Sequence, residues 1–416
     1  VKKTLLLHAS QLVTCSGFSA KRGEEMGEIH VIEDGAVYSE DGIIREVGKS
    51  ADLLAKYPDA QQIDCTGKAV LPGFVDSHTH FVFGGYRPEE FSWRLSGDSY
   101  MSIMLRGGGI NATLKPTRAA SKEELLASGR RRLHTMLSYG ITTVEGKSGY
   151  GMDLDTELKQ LEVMAQLNGE QPIDIVSTYL GAHSVPEEYK GRTDDYVDFM
   201  IEKVLPVVAQ RRLAKFCDVF CEENVFSVEQ SRRLLLEARK HGFALKLHAD
   251  EIIPIGGTEL SAELGAVSAD HLLHASDRGI EMMAERGVVA TLLPATAFNL
   301  KEEYARARKM IDSGCAVALA SDLNPGSCFT GSIPLLFALS TIYMGMSIEE
   351  AITALTINGA AAVGLADQVG SLDVGKKADM VILGYPSYHF LHYHTAENIV
   401  ERVVKNGEVV LENPFC

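Results

Sequence analysis

The sequence predicts an α/β protein: a (β/α)8 TIM-like barrel with a small β-sandwich domain built from both chain termini. Three observations predict it. Between about residues 68 and 363, a short β-rich apolar run, a polar loop and an amphipathic helix ending near glycine recur until eight strand candidates have passed. The apolar runs are nearly continuous, the pattern of parallel strands covered on both faces. The flanks, 1–67 and 364–416, read as short strands and turns that cannot each build a core but can share one.

In chain order, the opening "VKKTLLLHASQLVTCSG" imitates a signal peptide. His8 and Gln11 interrupt its apolar region and no small-residue cleavage site follows, so it reads as a first β-strand. The eight barrel candidates are "AVLPGFVDSHTH", "GITTVEGKSG", "IDIVSTYLGAHS", "FCDVFCEENVF", "FALKLHADE", "AVSADHLLHA", "VVATLLPATAF" and "AVALASDLNPG". Helices between them have marked starts: Ser121–Glu124, Ser227–Gln230 and Ser347–Glu350 match the capping-box spacing. Gly140 and Gly242 stand where a left-handed C-terminal cap is wanted. A doubly wound sheet is the alternative, but its Gly-rich dinucleotide turn is missing. "RGGGIN" at 106–111 follows no clear strand and lacks the lysine and hydroxyl of a phosphate loop, so it reads as a flexible loop. The long segment 81–120, rich in Gly, Arg and aromatics, would cover the face where barrel active sites lie.

Composition narrows the function. A chain of 416 residues, 45% hydrophobic and 23% charged, fits a globular barrel plus a satellite, and no apolar run approaches the roughly 18 residues of a membrane helix. The net charge of −16 argues against nucleic acid or an anionic membrane as partner. It leaves room for a small anionic substrate, because a local cation can dominate inside a pocket. The "GRRRLH" patch at 129–134 sits in a predicted helix and reads as a solvated face. Seven cysteines without a CxxC pair fit a reducing, cytoplasmic setting, with Cys217 and Cys221 as buried thiols.

Chemistry enters at "SHTH". His78 and His80 point to one side of a strand end, but HxH alone is a weak metal signal. His392 and His394 repeat the spacing outside the barrel without supporting ligands and read as structural or interfacial. The remaining candidates decide the matter: His183 ends the third strand, His248 and Glu251 the fifth, His271 the sixth and Asp322 the eighth. Each has a bland reading: a hydrogen-bonded core histidine, a turn-initiating aspartate, a solvated glutamate. In a closed barrel, however, all converge on one mouth. Imidazoles with a carboxylate suit a borderline cation such as Zn2+ or Fe2+, which can lower a bound water's pKa from 15.7 to roughly 7.

"PGFVDSHTH", the later single histidine and "SD" at 321–322 together resemble the amidohydrolase superfamily of metal-dependent barrels. Two-metal members usually draw a bridging lysine or acid from the fourth strand. Here "FCDVFCEENVF" has no lysine, Lys215 precedes it, and Glu222 and Glu223 keep a bridging role open. With "HADE", the pattern resembles one-metal members, which implies His78, His80, His248 and Asp322 as ligands. More closely, "HFVFGGYRPEEF", "TTVEGKSGYG", "YLGAH", "KLHADE" and "ASDLNPGS" resemble the imidazolonepropionase family. That resemblance implies hydrolysis of 4-imidazolone-5-propanoate to N-formimidoyl-L-glutamate in histidine degradation, with one ion, Zn2+ or Fe2+/Fe3+, in a homodimer. It implies substrate contacts from Arg87, Tyr100, Tyr150, His183, Glu251, Asn324, Gly326 and Ser327.

The chemistry is consistent with this. Arg87 can hold a propionate by two parallel hydrogen bonds, and Tyr150 can offer a hydroxyl to the same carboxylate or to a ring nitrogen. The catalytic expectation is that Asp322 or His271 takes the proton of activated water, that His183 or His271 donates to the oxyanion, and that Glu251 protonates the departing ring nitrogen. The rivals are a related cyclic-amide hydrolase or nucleobase-type deaminase, and a silent scaffold, whose expected mark would be lost ligands.

Overall fold

A computed structural model describes residues 1–414, with the side chains of Tyr100 and Met101 outside the described set. Eight parallel strands form the barrel: Phe74–Asp76 (β1), Ile141–Lys147 (β2), Asp174–Ala182 (β3), Phe216–Cys221 (β4), Ala244–Ala249 (β5), Ser268–His271 (β6), Val289–Leu292 (β7) and Val317–Leu319 (β8). They pair in sequence order, and every expected run supplies one. Closure between β8 and β1 occurs just past the strands. The Asp322 N–H donates to the His78 carbonyl (2.9 Å) and the His80 N–H to the Leu323 carbonyl (2.8 Å). Beneath them, the buried Asp76 carboxylate accepts from the Ser321 N–H (2.9 Å) and hydroxyl (2.5 Å). The ring closes through residues of the expected site.

The run 69–80, read as one strand from sequence, is two. Ala69–Pro72 pairs with Lys3–Val13 and Met380–Leu383, whereas β1 pairs with β2. The switch is at Gly73. Its N–H donates to Asp379 outside the barrel, and the next N–H, of Phe74, donates to Gly140 at the foot of β2. A Cβ at Gly73 would lie 2.2 Å from Thr142 Oγ1, so only glycine passes there. Strands from both chain ends form the terminal sheet, with Lys3–Val13 at its centre and Val400–Lys405 and Glu408–Glu412 continuing beyond Met380–Leu383. Leu6, Leu12, Val37, Ile44, Val70, Ile382 and Val404 fill its own core. The opening segment is thus a strand.

The three capping boxes form as expected; at Lys122–Ser138, the Ser121 Oγ accepts from the Glu124 N–H (3.1 Å) and Glu124 accepts from the Ser121 N–H (2.8 Å). Gly140 and Gly242 take φ of +88° and +90° after their helices. The 81–120 segment carries three short helices, Pro88–Leu95, Tyr100–Leu105 and Asn111–Ala119. Arg132 corrects the solvated reading of the basic patch. It is buried, lies 3.6 Å from the Phe83 ring centre and donates to the carbonyls of Phe81 (2.7 Å) and Phe83 (3.3 Å). A planar guanidinium with several donors is what this carbonyl-rich entry to the segment needs. Among the described residues, all six cysteines are buried and unpaired, and no helix is long and apolar enough to cross a membrane.

Candidate active site

The strand ends bring the expected histidines together. His78 and His80 sit two and four residues past β1, His183 one past β3, His248 within β5, His271 at the end of β6 and Asp322 three past β8. Ring centres lie 4.6 Å apart for His78 and His248, 5.2 Å for His248 and His271, and 4.9 Å for the stacked pair His80 and His183. Asp322 Oδ1 is 3.3 Å from His78 Nε2 and 3.4 Å from His80 Nε2, and its Oδ2 accepts from Thr296 Oγ1 (2.7 Å). His271 and Asp322 adopt left-handed backbones (φ +75° and +52°), a conformation Asp and His take more readily than most residues.

A second layer aims the imidazoles. His78 Nδ1 donates to Asp270 (2.6 Å) and His248 Nδ1 to Asp218 (3.2 Å). Their Nε2 atoms, buried, have no hydrogen-bond partner among the described residues and face the centre. Carboxylates behind metal-ligating imidazoles fix tautomer and raise basicity in the same manner. Donor atoms of His78, His80 and Asp322 lie within 4.8 Å of one another, as do those of His78, His248 and His271, and of His80, His183 and His248. Four imidazoles, His80, His183, His248 and His271, have pKa values lowered by burial and are neutral at pH 7. His78 differs. Burial and the nearby Lys147 oppose its charge, yet Asp270 and Asp322 carry its pKa up to about 9. Burial also opposes ionisation of Asp322, but the His78 and His80 imidazoles beside it hold it well below the ordinary range. The donor set fits a metal ion.

Beyond the histidine cluster, Glu251 Oε1 lies 3.4 Å from His271 Nδ1 beside a 110 Å³ cavity that Thr296 and His274 also line. Burial, with Asp322 and Glu222 nearby, pushes the Glu251 carboxyl up to about 8. His183 Nδ1 contacts the Gly149 carbonyl (3.1 Å) and must donate to it, leaving Nε2 as an acceptor. Tyr150 is buried, with its ring centre 5.2 Å from that of His183. Its loop is shaped by Glu157, whose carboxylate accepts from the N–H groups of Gly149, Gly151 and Met152. Arg87 packs against the turn after β8, where a Cβ at Gly326 would lie 2.4 Å from its guanidinium. Glu90 already holds Arg87 through Nε (3.0 Å) and Nη2 (3.1 Å). Asn324 accepts from the N–H groups of Gly326 and Ser327, building that turn. The Tyr100 side chain lies outside the described residues.

Sequence reasoning missed the floor beneath the histidines. Glu145 and Lys147 of β2, Asp218 of β4, Lys246 of β5 and Asp270 of β6 are all buried. Lys147 Nζ lies 2.7 Å from Asp218 and 2.9 Å from Glu145, and Lys246 Nζ 3.1 Å from Glu145. Burial opposes the charge on Lys147, but the carboxylates hold its pKa well above the ordinary value. The signal was available: charges stand at alternate positions inside otherwise apolar strands ("VEGK", "LKLH"), where a parallel barrel has no solvent face. Glu222 accepts from the Ile252 (2.9 Å) and Ile253 (3.1 Å) N–H groups, Glu223 is exposed, and neither joins the histidine donor groups among the described residues.

Residues 69–410 match the amidohydrolase family, and 35–60 match an imidazolonepropionase-like composite domain of bacteria. The chain is 61% identical over 413 residues to an imidazolonepropionase of Clostridium tetani, covering 99% of each chain. It is 62% identical over 411 residues to that of Parabacteroides distasonis, covering 98% of this chain and 99% of the relative. Among solved structures, an adenosine deaminase from Xanthomonas campestris with bound zinc superposes with a TM-score of 0.72 at 19% identity, over 99% of this chain and 93% of that one. The guanine deaminase of E. coli does so with a TM-score of 0.70 at 15% identity, over 99% and 100%. At such identities the deaminases share the fold alone, whereas the full-length relatives are alike throughout. The chain belongs to the amidohydrolase family and, within it, to the imidazolonepropionases.

Proposed function

We infer that this chain performs the reaction for which its relatives are named, the hydrolytic opening of 4-imidazolone-5-propanoate to N-formimidoyl-L-glutamate. The observation that carries the reading is identity of 61% along the whole chain to an imidazolonepropionase. His78, His80, His248 and Asp322 would hold one ion, Zn2+ or iron. When bound, such an ion acts as a Lewis acid and lowers the pKa of its water to about 7.

The chain's own groups account for the proton traffic. Asp322 Oδ2 lies 3.9 Å from His271 Nε2, and His271 Nδ1 lies 3.4 Å from Glu251, so the three form a line from nucleophile to leaving group. Water attacks the ring carbonyl and its proton passes to Asp322 or His271. His271 is the better oxyanion donor, because the tautomer of His183 leaves its Nε2 an acceptor, suited to a substrate N–H. Glu251, protonated near neutral pH, gives its proton to the departing ring nitrogen. Arg87, presented by Glu90 and Gly326, meets the propionate, with Tyr150, Asn324, Ser327 and Tyr100 completing the substrate contacts.

We further propose residues 68–363 as the catalytic unit, with 1–67 and 364–416 as its companion. Strand pairing supports this grouping except at Ala69–Pro72, which joins the terminal sheet. A cytoplasmic enzyme that meets neither nucleic acid nor membrane is in keeping with the buried thiols and the charge of −16. Homodimerisation rests on the resemblance alone. The test is to incubate metal-loaded protein with imidazolonepropionate and follow product mass: gain of one water without ammonia is expected, and ammonia release would move the protein to the deaminases.

A further inference from the structure

We propose that Lys147 is a positioning residue of the metal centre, a cation built into the floor that holds in place the two carboxylates aiming His78 and His248. The proposal rests on reading those histidines as ligands. Its ammonium is completely buried, 2.7 Å from Asp218 Oδ2 and 3.6 Å from Asp270 Oδ2. Asp218 and Asp270 are the residues whose carboxylates receive the Nδ1–H groups of His248 and His78. One side chain therefore stands behind both orienting contacts, although these come from β4 and β6, and Lys147 from β2. Its main chain joins the same assembly, since the Lys147 N–H donates (3.0 Å) to the carbonyl of Thr79, the residue between His78 and His80.

Charge explains why a lysine is wanted. Asp218, Asp270 and Glu145 converge on the floor, and Lys246 is the other cation there, 3.1 Å from Glu145 Oε1 and hydrogen-bonded to the carbonyls of Ser77 and Ala362. Without Lys147, Asp218 would lose its ammonium partner and Glu145 one of its two, leaving Lys246, 3.1 Å from Glu145, as the remaining lysine among three buried carboxylates. Like charges in a medium of low dielectric repel strongly. The carboxylates would turn apart, and both imidazoles would lose the contact that points Nε2 at the centre. His78, Glu145 and Asp270 also bring donor atoms within 4.8 Å of one another, and Lys147 lies against two of these three groups. Charge there is balanced from within the chain.

The experiment compares Co2+ binding and the visible Co2+ spectrum of the full chain with those of Lys147→Met, in the original sequence and in a background carrying Asp218→Asn and Asp270→Asn. Far-UV circular dichroism and melting report folding, and Lys147→Gln is read the same way if the methionine variant does not fold. The expected result is a folded variant that binds Co2+ about 10- to 100-fold more weakly, the usual range for loss of an outer contact, with an altered spectrum. In the doubly amidated background, the lysine substitution should have little further effect. Wild-type affinity and spectrum in Lys147→Met would overturn the proposal, as would an undiminished loss in the amidated background. Failure of the unmodified chain to bind Co2+ would instead overturn the ligand reading, and the proposal with it.

Discussion

His78 and His80, and His392 and His394, share one spacing and differ in everything around it. The first pair follows a three-residue strand in a closed barrel, and its rings are buried. Asp270 fixes one ring from behind and Asp322 meets both from the front. The second pair lies in and just after the short helix Phe390–Tyr393. There His394 packs on Tyr385 and Phe390, with ring centres 4.5 and 5.6 Å apart, and its Nδ1 lies 3.3 Å from the exposed Glu397. An extended chain places residues two apart on one side, whereas a helical turn rotates them away from each other. Spacing proposes a site; backbone and the groups behind each ring decide it.

The comparison is broken most directly by removing a ligand. His78→Ala or Asp322→Ala should abolish both turnover and metal retention, read by metal analysis beside activity; a metal-loaded, active variant would end the assignment. Next in size is Glu251→Gln, which tests whether a residue that touches no ligand-set carboxylate still belongs to the reaction. Loss of a general acid costs about 10²- to 10⁴-fold in kcat. Because the Glu251 carboxyl is raised to about 8, its proton is present below that pH and lost above it. The rate should fall as pH rises through about 8, and that limb should vanish in the glutamine variant. A pH profile measured on both proteins decides the matter.

Smaller still is Arg87→Ala, which asks whether the segment over the barrel belongs to the site as the strand ends do. Loss of a charge-assisted contact of about 1.5–3 kcal/mol should raise KM roughly ten- to hundredfold; unchanged KM would return Arg87 to a purely structural pairing with Glu90. The smallest effect belongs to the other histidine pair. His392→Ala and His394→Ala should alter stability by about 1 kcal/mol or less and leave metal content as it was. Metal loss there would erase the contrast between the two pairs.

The alternation of apolar runs and helices, the capping serines and the strand-end histidines were legible because they depend on local periodicity and on topology that a parallel barrel imposes. The convergence of the proposed ligands was legible for a related reason: a barrel has one mouth, so residues at strand ends must meet. The floor was not. That Lys147 balances Asp218 and Asp270, and that these aim His248 and His78, depends on which strands become neighbours across the barrel interior and how their registers align. Gly73 looked like a residue within a strand and is the point where the chain leaves one sheet for another. Arg132 read as one charge of a solvated run and is buried under the segment it pins. The sequence alone determined the kind and order of the elements, the capped helix starts and the shared side of His78 and His80, because those follow from bonds and contacts within a few residues. Tertiary structure alone decided which buried charge meets which, because Coulomb energies in a dry interior depend on separations of a few ångströms between residues far apart in the chain.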